Sequence, residues 1–144
     1  MLVILTITSC NTEDGGKNTN VLFEVERSFS DMSVREGMNK AFLHFCDEEG
    51  VILRPDRYPI VGELAIQEYL ETGNDSLITL SWKPLDAFLS ASGDLGFTYG
   101  TYLLESKNSA FSPREGTYIT IWRKNSNNEW RFLLDTGQEG LGDD

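Results

Sequence analysis

The apolar positions of this chain change their period once, and the change divides it into two kinds of structure. Between Val21 and Gly73 they recur at three- and four-residue steps, whereas from Trp82 to Asp135 they form long extended arms. Val21, Leu22, Val25, Phe29 and Met32 share one face of a helix. Ser33-Val34-Arg35-Glu36 reads as a capping box, which predicts a second helix starting there, with Val34, Met38, Ala41, Phe42 and Phe45 as its apolar stripe. Gly50 ends that segment, and Val51 to Arg54 is a short strand stopped by Pro55. After the loop Asp56-Arg57-Tyr58-Pro59, Gly62 opens a third helix with Ala65, Ile66, Tyr69 and Leu70 on its apolar face, closed by Thr72-Gly73-Asn74.

The second part contains two long hairpins in succession. Their turns are Ala91-Ser92-Gly93-Asp94 and Asn125-Ser126-Asn127-Asn128-Glu129, so the pattern predicts a meander of four antiparallel strands. Helices followed by such a meander give an α+β fold, with a twisted sheet curling around three helices into a cone with one open end. Alternation places Phe97, Tyr99, Thr101 and Leu103 on one side of their strand, and Thr98, Gly100, Tyr102 and Leu104 on the other. It separates Tyr118, Thr120 and Trp122 from Ile119, Ile121 and Arg123, and Trp130, Phe132 and Leu134 from Arg131, Leu133 and Asp135. Which side faces inward is not written in the alternation. Gly100, inside a strand, marks a kink or bulge that helps the sheet curl.

Composition narrows the function classes. The 144 residues suit one domain, and a formal net charge of −11 is repelled by phosphate backbones, which excludes nucleic acid as a partner. No Lys/Arg cluster offers a basic patch to anionic lipid. Cys10 and Cys46 form no disulfide framework, and His44, the single histidine, supplies no metal-ligand set. No phosphate-binding glycine loop appears, so no cofactor and no metal are expected.

The start of the chain has a different character. Met1 to Cys10 is an apolar run, and Ile7-Thr8-Ser9-Cys10 resembles the lipobox of bacterial lipoprotein signals. That resemblance implies cleavage before Cys10, acylation of its thiol and new amino group, and an envelope-anchored protein, several acyl chains being enough for stable anchoring. Asn11 to Asn20 would then be a polar tether. No basic region precedes Leu2, and without a signal the same segment reads as an edge strand of a cytoplasmic protein. The run is too short for a transmembrane helix, which needs roughly 20 apolar residues. The expected organisation is a signal remnant and tether over 1–20, one cone-shaped domain over 21–140 and an acidic tail over 141–144.

Certain stretches resemble the SnoaL-like branch of the nuclear transport factor 2-like superfamily. They are the phenylalanine-rich helix, the Gly50-Val51-Ile52-Leu53-Arg54-Pro55 strand, Ile60 to Ile66, Ser92 to Gly100, Gly116-Thr117-Tyr118, Ile121 to Lys124, Trp130-Arg131-Phe132 and Asp135-Thr136-Gly137. The resemblance implies a cone-shaped fold with an internal pocket, often dimeric through its sheet. Its members include ketosteroid isomerase, polyketide cyclases and scytalone dehydratase beside many that only bind, so it assigns no reaction.

Within that frame Asp135 is the candidate catalytic carboxylate, since a dry pocket raises a carboxyl pKa toward neutrality. The other reading of Asp135 is a turn acceptor for Thr136-Gly137, or a partner for Arg131. Tyr99 is the matching electrophile, and His44 the general acid–base candidate at neutral pH unless it is a hydrogen-bonded core residue. Tyr58, Trp82, Tyr99 and Trp122 are expected to line the cone for an apolar ligand with a polar handle, with Arg54 at the rim for an anionic group. Trp82 and Trp122 read equally as core anchors, and Cys46 as a buried apolar residue. Three functions follow: binding of a small apolar or amphipathic molecule in the cone, a pocket-carboxylate isomerase, cyclase or dehydratase, or a homodimeric interaction module.

Overall fold

The computed structural model describes residues 18–142, so the proposed signal, Cys10 and the end of the acidic tail lie outside the described residues. Helix α1 (Asn20–Glu36) is followed at once by α2 (Met38–Phe45). Strand β1 (Cys46–Leu53), the two-residue β2 (Ile60–Val61) and helix α3 (Glu63–Glu71) come next. A short 3₁₀ turn, Asp75–Leu77, leads into β3 (Ile78–Leu89), β4 (Leu95–Ser106), β5 (Arg114–Lys124) and β6 (Trp130–Glu139). The predicted meander is therefore present, but within a six-stranded sheet of order β2-β1-β6-β5-β4-β3. Strand β1 lies parallel to β6, a pairing between distant segments that local patterning does not reveal.

The capping box is not a helix start. Helix α1 runs through Ser33, which is buried and donates its hydroxyl to the Leu80 carbonyl at 2.7 Å, while Val34 is exposed. The break falls at Gly37, whose φ of 99° suits glycine. The cap comes instead from Asp75, whose Oδ2 accepts from the Asn39 amide at 2.8 Å and stands where a Cβ on Gly37 would collide. On the same inward side of α1, Ser30 Oγ accepts from the Trp82 amide at 2.9 Å, so two serines hydrogen-bond the backbone of the edge strand β3.

Helices α1, α2 and α3 cover one face of the sheet, and Phe29 sits at the centre. Its ring centroid lies 4.9 Å from those of Phe42 and Phe45, 4.6 Å from Trp82, 6.0 Å from Trp122 and 5.9 Å from Phe132. Edge-on and tilted contacts of this kind are favourable for aromatic pairs. Two bulges bend the meander, and β1 shifts register against β6 between Cys46 and Val51. Leu85 is unmatched between Pro84 and Asp86, and Leu133 is unmatched between Phe132 and Leu134. Gly100 lies against the first, where a Cβ would come within 1.9 Å of the Lys83 carbonyl oxygen. The kink expected at Gly100 is thus on the partner strand, and only glycine lets β3 approach so closely.

Candidate functional site

A polar cluster is buried on the concave face, among the aromatic rings. Glu26, at the end of the second turn of α1, is fully buried and hydrogen-bonds three side chains from three strands. Trp82 Nε1 donates to its Oε2 at 2.7 Å, Trp122 Nε1 to Oε1 at 3.1 Å, and the Thr98 hydroxyl bonds Oε1. Burial nonetheless raises the Glu26 pKa above the ordinary carboxyl value, because desolvation outweighs the Thr98, Trp82 and Trp122 bonds and Asp135 adds repulsion.

Asp135 is the second carboxylate. Its Oδ1 accepts from Arg54 Nη2 at 3.2 Å and its Oδ2 from the Thr120 hydroxyl at 3.2 Å. Desolvation again raises its pKa, with Arg54 and Thr120 acting in the opposite sense. Tyr118 lies on the same face, its hydroxyl buried without a hydrogen-bond partner. Burial, reinforced by the charges of Glu26 and Asp135, pushes its phenol pKa far up, so the hydroxyl stays protonated and can only serve as a neutral donor or acceptor.

The structure sorts the sequence candidates sharply. Asp135 is inward and is not a strand-end residue, since β6 continues to Glu139. The bulge at Leu133 reverses the alternation, so Asp135 shares a face with Trp130 and Phe132, which simple counting had placed opposite. Its partner is Arg54, not Arg131, which pairs with Glu129 at 3.0 Å. Arg54 was expected to meet an anion at the rim; its charge is taken by Asp135, and its guanidinium lies 5.8 Å from the Phe42 ring centroid. Trp82 and Trp122 are inward as core anchors that also donate to Glu26.

Two candidates are corrected. Tyr99 pairs with Asp86 and Ile119 on the convex side and is 44% exposed, so it cannot act on the concave cluster with Asp135. Tyr58, in the β1–β2 loop, is 93% exposed and lines no interior. His44 is exposed, packed edge-on against Phe45 and lining a polar surface hollow of about 750 Å³ with Arg123, Asp47 and Glu49. In that hollow Arg123 is already paired with Asp47 at 2.5 Å and Glu49 at 2.7 Å. Cys46 is buried, as expected, and its thiol is pushed up to about 12 by burial, which removes it as a nucleophile. Among the described residues no group of three or more His, Cys, Asp or Glu is placed to hold a metal, and no helix is long and apolar enough to cross a membrane.

Glu26, Thr98, Tyr118 and Thr120 were not singled out from sequence as site residues. Glu26 had a signal: it falls four residues after Leu22 and three before Phe29, on the stripe that must be buried.

The convex face carries a different feature. Phe88, Phe97, Ile121, Leu134, Val51 and Val61 are successive register partners, one from each of the six strands. Phe88 is 56% exposed and Val61 60%, with the other four half-buried. Tyr99 and Ile119 extend this band on one side.

No protein-family model matches the chain, and no curated protein is similar to it in sequence. Solved structures are similar in fold. A ketosteroid isomerase-like protein from Erwinia carotovora atroseptica superposes with a TM-score of 0.69 at 13% identity, covering 88% of this chain and 99% of that one. A domain of unknown function with a cystatin-like fold from Nostoc punctiforme gives 0.67 at 12% identity, covering 85% and 77%. A nuclear transport factor 2-like protein with a cystatin-like fold from Novosphingobium aromaticivorans gives 0.61 at 14% identity, covering 85% and 81%. At such identities the likeness speaks for architecture alone. Helices packed on one face of a bent, mostly antiparallel six-stranded sheet, in this order, are the nuclear transport factor 2-like fold.

Proposed function

We propose that this protein is an assembly module, a cone domain that pairs with a second copy of itself through the convex face of its sheet. The observation that carries this reading is the six-residue apolar row, in register from Phe88 to Val61 across the whole sheet. A monomer gains nothing from such a band exposed to water, and bands of this kind mark interaction surfaces. A patch that crosses a sheet from edge to edge can pack on its own two-fold mate, the commonest oligomeric symmetry. The net charge of −11 opposes pairing over long range, but the row itself is uncharged and physiological salt screens the rest beyond about 8 Å. Sedimentation equilibrium tests the reading. The purified chain is expected to be a dimer at micromolar concentration, and Ile121→Asp, at the middle of the row, to be a folded monomer. A wild-type monomer at 100 μM ends the proposal.

The second reading is ligand binding within the cone, with a neutral polar atom of a small amphipathic molecule meeting the Tyr118 hydroxyl. It is favoured by that hydroxyl being buried beside Glu26 and Asp135 without a hydrogen bond of good geometry. The rings of Phe29, Phe42, Trp82, Trp122 and Phe132 occupy the rest of the interior, so such a ligand requires these side chains to yield. Proton-transfer chemistry would use Asp135 with Tyr118 in place of Tyr99. Anchoring through an acylated Cys10 would set either activity at a bacterial envelope, and the test is fatty-acid labelling that a Cys10→Ala protein loses.

A further inference from the structure

Glu26 belongs to neither the convex face nor a surface network, and its surroundings are unusual for a carboxylate. It is wholly buried, yet every group it hydrogen-bonds is neutral: the two indole N–H groups of Trp82 and Trp122 and the Thr98 hydroxyl. The charged and titratable groups around it can be enumerated by element. On α1 its neighbours Glu24 and Arg27 are exposed, as is His44 on α2, and Lys83 on β3 is on the outer surface. Strand β4 presents Tyr102, β5 presents Tyr118 and β6 presents Asp135, while Arg54 follows β1. Besides Asp47, which is paired with Arg123, the buried carboxylates among the described residues are Glu26 and Asp135, and the one guanidinium beside them is bonded to Asp135. Two negative charges with one positive charge in a medium of low polarity leave one carboxylate without a counter-ion. Carboxylates so placed bind a proton instead of remaining ionised.

We propose that Glu26 holds a proton at neutral pH and that this proton fastens helix α1 to strands β3, β4 and β5, so that the helix is held less firmly as pH rises through neutrality. Of the three contacts only Thr98 can accept a hydrogen bond, so the acidic O–H on Oε1 points to Thr98 Oγ1, and Oε2 remains free to take the Trp82 N–H. The direction of the pH effect follows from linkage. When α1 lifts away, Glu26 meets water and returns to the ordinary carboxyl range, so opening releases a proton. Between the ordinary value of about 4.3 and the higher value in the closed form, the opening equilibrium grows by about tenfold per pH unit and then levels.

The site contains its own reporters. In the full chain labelled with nitrogen-15, the Trp82 and Trp122 indole signals are followed from pH 4 to 9, with infrared spectra in parallel. The expected result is that both indoles shift together with a midpoint above pH 7 while Trp130 does not. A protonated carboxyl stretch should be present at pH 7, and Glu26→Gln should remove both the titration and the stretch. Asp135→Asn should keep the titration and lower its midpoint, because one repelling charge is gone. A midpoint below pH 7, a titration that survives in Glu26→Gln or vanishes in Asp135→Asn, or no protonated stretch at pH 7 overturns the proposal. Should Glu26→Gln fail to fold, the wild-type midpoint and stretch decide the matter alone.

Discussion

Removal of Arg54 isolates the energetics of the concave cluster. In Arg54→Ala, Asp135 keeps the Thr120 hydroxyl but loses the cation 3.2 Å away, with side-chain exposures in the pair of only 24% and 10%. Breaking a buried pair by deleting one partner typically costs about 3–5 kcal/mol. The carboxyl has an escape, however, because it can take up a proton. Protonating a carboxyl of ordinary pKa about 3.9 at pH 7 costs about 1.4 kcal/mol per unit, so the loss cannot exceed about 4 kcal/mol on this account. We expect about 2–4 kcal/mol at pH 7. The sign with pH is fixed: loss of Arg54 raises the folded-state pKa above its wild-type value, so the penalty grows as pH rises through that wild-type value, itself above the ordinary carboxyl range, toward neutrality. Urea unfolding at pH 5, 6 and 7 measures it, and in an Asp135→Asn background the Arg54→Ala penalty should no longer change with pH. A loss under 0.5 kcal/mol at pH 7, or one that does not shrink toward pH 5, would refute the assignment of this pair.

Phe29→Ala should cost about 3–5 kcal/mol in the same assay, because five rings pack on this one side chain and cannot all collapse into its space. Gly100→Ala should destabilise by about 1–3 kcal/mol or more, since its Cβ meets the Lys83 carbonyl. Gly93→Ala, with nothing near its Cβ, should lose only about 1 kcal/mol through its φ of 77°. In a Cys10→Ser background, Cys46 should resist thiol reagents at pH 8 until urea unfolds the chain, given its burial and raised pKa. Reaction at the rate of a free thiol would contradict the placement of that side chain.

What could be read from the sequence was local in origin. Helix α3, the loop after Pro55 and both hairpin turns follow from period and turn residues within about ten positions, and they stand where expected. The capping box failed because the real break at Gly37 is stabilised by Asp75, a residue remote in sequence. The extended sheet was missed because β1 reaches β6 by a parallel pairing across the chain. Asp135 reads from sequence as the end of an apolar strand on the face opposite Trp130, whereas it lies within β6 on the same face. One unpaired residue, Leu133, changes the parity of everything beyond it. Glu26 is legible by the same rule, since an acid on an apolar helical stripe is carried into the interior with it.

The two serines of α1 have an effect that reaches beyond the helix. By engaging the Trp82 amide and the Leu80 carbonyl they occupy outward-facing main-chain groups along the first half of β3. The second half is interrupted by Pro84 and the unmatched Leu85. A strand arriving from another molecule finds no continuous ladder there to extend. Growth by lateral addition is thereby opposed at this border of the sheet, whatever else the protein meets.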